Sequence, residues 1–466
     1  MGRASEDRAV LDRAVAHARR WLESLPERRV PATGTADDVL AHLGADLPEH
    51  GTAGPEVIDR LAAAVEPGLM ANGSGRFFGW VMGASLPTAV AADWLVSAWD
   101  QNAGMREATP GVVAVEEVAA GWLLRLLGLP SEAAVGFTTG ATMANFTALA
   151  AARDRVLDRV GWNVALEGLP GAPRVRVLAG AESHGSVELA LRYLGLGVPD
   201  TVAVDDQGRL DAEDLRDRLS RAAGPAIVCL QAGNIHSGAF DPFGRAVEVA
   251  HEAGAWVHVD GAFGLWAAVS PDLAPLTAGL AGADSWATDA HKTLNTPYDG
   301  GIAIVADAEA VHRSMGVHAS YLLTGSTVDP LERVPEMSRR ARGVPIWAAI
   351  AALGAAGVRD LVEGLVAAAR ALAEGIGEIP GAEILNDVVY TQVSIAFGSD
   401  QRTGEVYDSL VAEGTVMPSV SVWHGRRVIR FSVSSWRTGA TEVADTVAAV
   451  ARAAGAAVHS TIAVEE

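Results

Sequence analysis

Two residue types that commonly form cross-links or carry a reactive side chain are nearly missing from this chain. Cysteine occurs once, at Cys229, and lysine once, at Lys292, in 466 residues. A single cysteine excludes an internal disulfide framework and a multi-cysteine metal cluster, and it points to a reducing compartment. Long hydrophobic runs are missing too. The longest, residues 344–358, is broken by Pro345 and Gly354 and falls short of the ~20 residues that span a bilayer. The first twenty residues hold no apolar signal core, so the expected location is the cytoplasm. Positive charge is in deficit, with 36 Lys+Arg against 57 Asp+Glu and a net charge of −21. That balance argues against nucleic acid or an anionic membrane as a partner. A Gly-x-Gly-x-x-Gly turn with an acidic residue ~20 positions later is not found, which makes an NAD-dependent dehydrogenase a remote reading. The class left is a globular protein of two or three domains, most simply an enzyme.

Residues 1–75 read as a helical arm. Leu11, Val15, Ala18, Leu22 and Leu25 recur at helical spacing, and Thr35 before Asp37 and Asp38 marks a second helix start. Residues 76–343 alternate short apolar strands with helical segments, as in a mostly parallel or mixed sheet covered on both faces. The strand candidates are 133–138, 174–178, 201–204, 226–230, 256–259, 285–287 and 302–305. Residues 344–466 form a smaller C-terminal domain. It has a long Ala-rich helix to about residue 379, strands at 390–397 and 428–433, and a last helix from about 441 to 453. That remainder reads as βαβ-like.

Ligands of open α/β sheets collect at the carboxyl ends of the strands, and four chemically loaded segments sit there. Thr139-Gly140-Ala141-Thr142 joins a strand to a helix, where free N–H groups and hydroxyls can bind a phosphate; an ordinary capped turn is the alternative. Asp260 closes an apolar strand and precedes small residues, so a planar group can approach its carboxylate. His258 and Asp260 also permit a metal reading, which lacks a third ligand. Lys292 follows another short strand, and lysine can form an imine where arginine cannot; a salt-bridged core lysine is the competing reading. His184 follows a third strand, either as a structural residue or as an aromatic lid over a flat cofactor.

Taken in order, this set resembles the pyridoxal 5′-phosphate (PLP) enzymes of the aspartate-aminotransferase fold (fold type I). It is most similar to the group II amino-acid decarboxylases, the family of aromatic-L-amino-acid and glutamate decarboxylases. The motifs are Arg76-Phe77-Phe78-Gly79-Trp80, residues 109–129, His258-Val259-Asp260-Gly261-Ala262, Asp289-Ala290-His291-Lys292, and Ser338-Arg339-Arg340-Ala341-Arg342 with Trp347. The resemblance implies an α/β protein with a large seven-stranded, mostly parallel or mixed sheet domain, a helical N-terminal arm and a small α+β C-terminal domain. It implies PLP held as a Schiff base on Lys292, Asp260 on the pyridinium nitrogen, and His184 stacked on the ring. Thr139, Gly140, Ala141 and Thr142 would hold the phosphate, with His291 beside it; Asn234, Ala262 and Asp289 complete the expected cofactor contacts. Phe78, Trp80, His236 and Arg430 are the substrate-side candidates. No metal is implied. A homodimer with active sites at its interface is expected, with the arm wrapped on the partner.

The implied reaction is decarboxylation of an L-amino acid to an amine. Three departures bear on it. The stretch 326–336 lacks the family's mobile-loop Tyr, although Tyr321 lies just before it. Gly233-Asn234-Ile235-His236-Ser237 replaces a Thr-containing turn, and Thr293 stands where Trp is usual after the lysine. The alternatives are therefore decarboxylation-dependent oxidative deamination to an aldehyde and an aldol-type carbon–carbon lyase.

Overall fold

Apolar periodicity and capping place the first elements of the computed structural model, which describes residues 3–44, 46–316 and 328–455. Helices α1 (Arg3–Ser24), α2 (Ala36–Leu43) and α3 (Gly54–Val65) form the arm. Thr35 caps α2 reciprocally: its hydroxyl accepts the Asp38 N–H at 3.2 Å, and the Asp38 carboxylate accepts the Thr35 N–H at 2.7 Å. The arm joins the body through Arg29, which donates to the carbonyls of Val411, Ala412 and Glu413. Leu11, Leu40, Val57 and Leu61 on the arm stay exposed.

After α4 (Pro87–Trp99) and α5 (Pro110–Leu126) come β1 (Ala134–Thr138) and α6 (Ala141–Asp158). The strands β2 (Arg176–Gly180), β3 (Asp200–Val202), β4 (Ala226–Gln231), β5 (Trp256–Asp260), β6 (Ser285–Asp289) and β7 (Gly301–Val305) complete the large sheet. Its order is β1-β7-β6-β5-β4-β2-β3. The pairs from β3 to β6 are parallel, and β7 runs antiparallel to both neighbours. The expected mixed seven-stranded sheet is present among the described residues. Its central strands are buried throughout and mostly apolar, because helices cover both faces. Since β7 is reversed, its first residue, Gly301, lies at the same sheet edge as the ends of β1, β5 and β6.

The C-terminal part differs from the βαβ-like expectation. The strands β8 (Ala382–Ile384), β9 (Gln392–Phe397), β10 (Ser419–Trp423) and β11 (Arg426–Ser432) form an antiparallel sheet in the order β10-β11-β9-β8. One face, with Val393, Ile395, Ile429 and Phe431, builds the small-domain core. The other carries Ser394, Arg430 and Ser419, which lie opposite one another across three strands. The Ala-rich helix Gly343–Gly377 is bent at Gly354, which adopts φ 65°. Its first half packs Ile346, Ala349 and Ile350 into the large core, and its second half packs Leu372 and Ile376 into the small one. The helix expected to open the small domain therefore belongs to both cores.

The Arg-rich segment is spent on packing. Arg339 forms a buried fork with Glu116, Arg340 donates to Asp93 at 2.6 Å, and Arg342 donates to Asp299 at 2.8 Å. The described part of the stretch expected as a loop, 328–336, includes the short turn Pro330–Glu332, with Leu331 and Glu332 buried. Tyr321, Ser326 and Thr327 lie outside the described residues. No helix among those described is long and apolar enough to cross a membrane.

Candidate active site

A cleft opens at the carboxyl ends of β4 and β5, lined by Trp80, Val81, His184, Gln231, Gly233, Ile235, Asp260, Ala262, Phe263 and Lys292. Five segments far apart in sequence thus meet, and three of their side chains, His184, Asp260 and Lys292, carry chemistry.

Asp260 ends β5 as a buried residue. Its Oδ1 accepts the Ala262 N–H at 3.2 Å, and its Oδ2 accepts the Asn145 amide at 3.1 Å. His184 caps the helix Gly185–Tyr193. The Ser186 N–H donates to its Nδ1 at 3.2 Å, which leaves the proton of the neutral ring on Nε2. Lys292 Nζ stands 2.9 Å from Asp289 Oδ2, and the other Asp289 oxygen accepts the Ala141 N–H at 2.6 Å. One carboxylate therefore links the amine to the head of α6.

That head is the expected phosphate cup. The first turn of a helix leaves N–H groups without acceptors inside it, here those of Thr142 and Met143. Thr139 and Thr142 are half-buried beside them. Gly301 makes room: a Cβ there would sit 2.4 Å from the Gly140 Cα. Such overpacking costs ~1–3 kcal/mol. We expect Gly301→Ala to bind PLP roughly tenfold more weakly, measured by titrating the apoprotein, and unchanged affinity would remove Gly140 from the cup.

His291 borders the cup rather than the cleft. It is buried, its Nδ1 accepts the Gly300 N–H at 3.2 Å, and its ring stacks on Tyr298 at 4.2 Å. Burial lowers its pKa. Trp80 lines the cleft with 47 % of its surface exposed, and its N–H donates to Ser419 Oγ at 2.8 Å.

Two expected site residues are placed elsewhere. Asn234 has its hydrogen-bonding capacity spent on its own turn and on Glu182. Its Oδ1 accepts the N–H groups of His236 and Ser237, and its Nδ2 donates to Glu182. Its neighbours Gly233 and Ile235 face the cleft instead. Phe78 is fully buried in the small-domain core, edge-on to Phe431 at 5.5 Å. An apolar ring has more surface to hide there than at a solvated cleft.

His236 and Arg430 meet at the junction of the two domains. The His236 ring stacks on Trp423 at 5.7 Å, with its Nε2 3.0 Å from Ser421 Oγ. Burial and the nearby Arg430 push its pKa down to about 4. Arg430 is 5 % exposed, its Nε has no hydrogen-bond partner among the described residues, and burial pushes its pKa down to about 10. Glu182 ties the same hairpin to the large domain, accepting from Trp423 Nε1 at 3.1 Å and lying 2.8 Å from His424 Nε2.

Sequence reasoning passed over Gln231, Val81 and Phe263, which line the cleft. Gln231 ends a buried apolar strand, the same signal that singled out Asp260. Among the described residues no group of His, Cys, Asp and Glu could hold a metal ion, and His258 is held by hydrogen bonds instead.

These residues fit PLP. A lone amine and a buried carboxylate line one slot with His184 and Ala262, and Asp289, the amine's partner, ties that slot to a helix head with unmatched donors.

Comparisons with known proteins agree. A family model described as the pyridoxal-dependent decarboxylase conserved domain matches residues 37–397. An aromatic-L-amino-acid decarboxylase of Bacillus atrophaeus is 24 % identical over 442 residues, covering 91 % of this chain and 90 % of the relative. A phenylacetaldehyde synthase of Petunia hybrida is 24 % identical over 429 residues, covering 84 % and 83 %. The crystal structure of Oryza sativa TDC with PLP and tryptamine superposes with a TM-score of 0.90 at 23 % identity, covering 97 % of this chain and 98 % of the other.

Proposed function

The chain belongs to the pyridoxal-dependent decarboxylase family, and from that premise we propose that this PLP-dependent carboxy-lyase converts an L-amino acid to its amine and carbon dioxide. The observation that carries the reading is the meeting of the only lysine and a buried strand-end aspartate in one cleft. Bound PLP supplies an electron sink for the charge left on Cα when a bond there breaks.

The chain supplies the rest. Lys292 presents its amine to the cofactor's aldehyde, aimed by Asp289. Asp260 accepts the ring N–H, and its own bonds to Ala262 and Asn145 keep it from swinging away. The head of α6, with Thr139, Gly140, Ala141 and Thr142, takes the phosphate beside His291. Arg430, a buried cation whose Nε is unpartnered among the described residues, is a carboxylate partner for the substrate. The Trp80 indole favours an apolar or aromatic side chain over an acidic one.

A specific observation supports a second outcome. The described stretch 328–336 carries no Tyr and is tied down by a buried turn. The protons available in the cleft are those of His184 and Lys292. If neither reaches Cα in time, dioxygen diverts the product to aldehyde, ammonia and peroxide, as the phenylacetaldehyde synthase relative suggests; an aldol-type cleavage is the further variant. The test is incubation with a panel of amino acids, assaying carbon dioxide, amine, ammonia, peroxide and aldehyde. Amine equal to carbon dioxide without ammonia is expected. Ammonia and peroxide equal to carbon dioxide would replace that reading with the second.

We also propose a homodimer with the sites at its interface, supported by exposed Trp94, Leu95, Trp99 and Val118 on α4 and α5. A cytoplasmic location fits the single, buried cysteine.

A further inference from the structure

We propose that His258, which does not line the cleft, is a positioning residue that raises the proton affinity of the cofactor's ring nitrogen by orienting Asp260 through Asn145. The inference rests on the assignment of Asp260 to that nitrogen.

Trp256, His258 and Asp260 alternate along β5 and so share one face of the sheet. Their polar atoms form a single chain. Trp256 Nε1 donates to Ser285 Oγ at 2.9 Å, and the same Oγ lies 2.9 Å from His258 Nδ1. His258 Nε2 lies 2.9 Å from Asn145 Oδ1, and Asn145 Nδ2 donates to Asp260 Oδ2 at 3.1 Å.

The carboxylate end fixes the direction. A carboxylate only accepts, so Asn145 must turn its amide nitrogen to Asp260 and its oxygen to His258. That oxygen needs a proton from His258 Nε2, so in the neutral imidazole Nδ1 accepts the Ser285 hydroxyl, whose oxygen in turn accepts the Trp256 indole N–H. The tautomer is the neutral imidazole with its proton on Nε2. Burial pushes the His258 pKa down to about 4, so that neutral form persists across neutral pH. The other titratable groups around Asp260 are His184, Asp241, Cys229 and Lys292, and burial pushes up the Cys229 thiol. Asn145 is bonded to none of those four; besides Asp260 and His258 it reaches Ser186 Oγ at 3.3 Å. Without His258 the amide is free to turn its oxygen toward Asp260, and the carboxylate loses one of its three donors, keeping the Ala262 N–H at 3.2 Å and the Ser186 hydroxyl at 3.3 Å.

The test uses protein reconstituted with PLP carrying nitrogen-15 in the ring, whose chemical shift reports whether that nitrogen is protonated. Wild type is expected to stay protonated between about pH 6 and 9. His258→Phe should lower the ring-nitrogen pKa by about one unit and weaken PLP binding roughly tenfold. His258→Gln, whose oxygen accepts from Ser285 and whose amide donates to Asn145, should restore both. Ser285→Ala, a smaller change, should shift the profile in the same direction and decides the matter if His258→Phe does not fold. A folded His258→Phe or Ser285→Ala protein with the wild-type profile and affinity overturns the proposal, as does a Gln variant no better than Phe. Asp260→Asn separates the two layers. If it too leaves the nitrogen protonated, the Asp260 assignment falls; if it alone deprotonates the nitrogen, only the role of His258 falls.

Discussion

Lys292→Ala is expected to lose turnover by at least about a thousandfold while keeping its fold. The fold survives because the lysine side chain reaches into the cleft, and its one ion pair is to Asp289. Asp289 still accepts the Ala141 N–H after the change, so the cup keeps its shape. Turnover fails because no other side chain can replace the amine: the remaining 35 of the 36 basic residues are arginines, which do not form imines. The same scarcity makes the check direct. Borohydride reduction of the loaded protein should add cofactor mass once per chain, and peptide mapping should find it on Lys292. The Ala variant should take up no such mass. Full activity in that variant, or label elsewhere, would refute the assignment.

Asp260→Ala should cost both cofactor affinity and rate, each by roughly 10²- to 10³-fold. Removing one partner of a buried charge pair costs ~3–5 kcal/mol, because the other is left without compensation in a low-dielectric site. Here the loss also strands donors of the chain itself, since the Ala262 N–H and the Asn145 amide both end on this carboxylate. Titration of the apoprotein with PLP and steady-state rates at saturating PLP separate the two effects. A variant with wild-type values in both would remove Asp260 from the ring nitrogen.

Strand order and site were readable to different depths. Most strands of the large sheet announce themselves as short apolar runs, four of them closed by a polar residue (Thr138, Gln231, Asp260 and Asp289), and Asp260 stands out because nothing in the protein core needs a charge there. Lys292 stands out by rarity. Boundaries slipped where tertiary pairing decides: β2 begins at Arg176, the first residue in register with Ala226, two residues after the apolar signal starts. Phe78 misled because burial in a core and exposure at a pocket call for the same apolar residue. Asn234 misled because its side chain serves its own turn, which composition does not reveal. The polar chain through Ser285, His258 and Asn145 was invisible, since it joins α6, β5 and β6 across more than a hundred residues. The kink falls at Gly354, a break the sequence does show, but that the helix is shared by both cores does not show in the Ala-rich pattern around it.

The carboxylate of Glu182 grips the tip of the hairpin 419–432, and it sits two residues before His184 on the same short connection. Any displacement of that hairpin is therefore handed on, through one side chain, to the connection that sets a wall of the cleft.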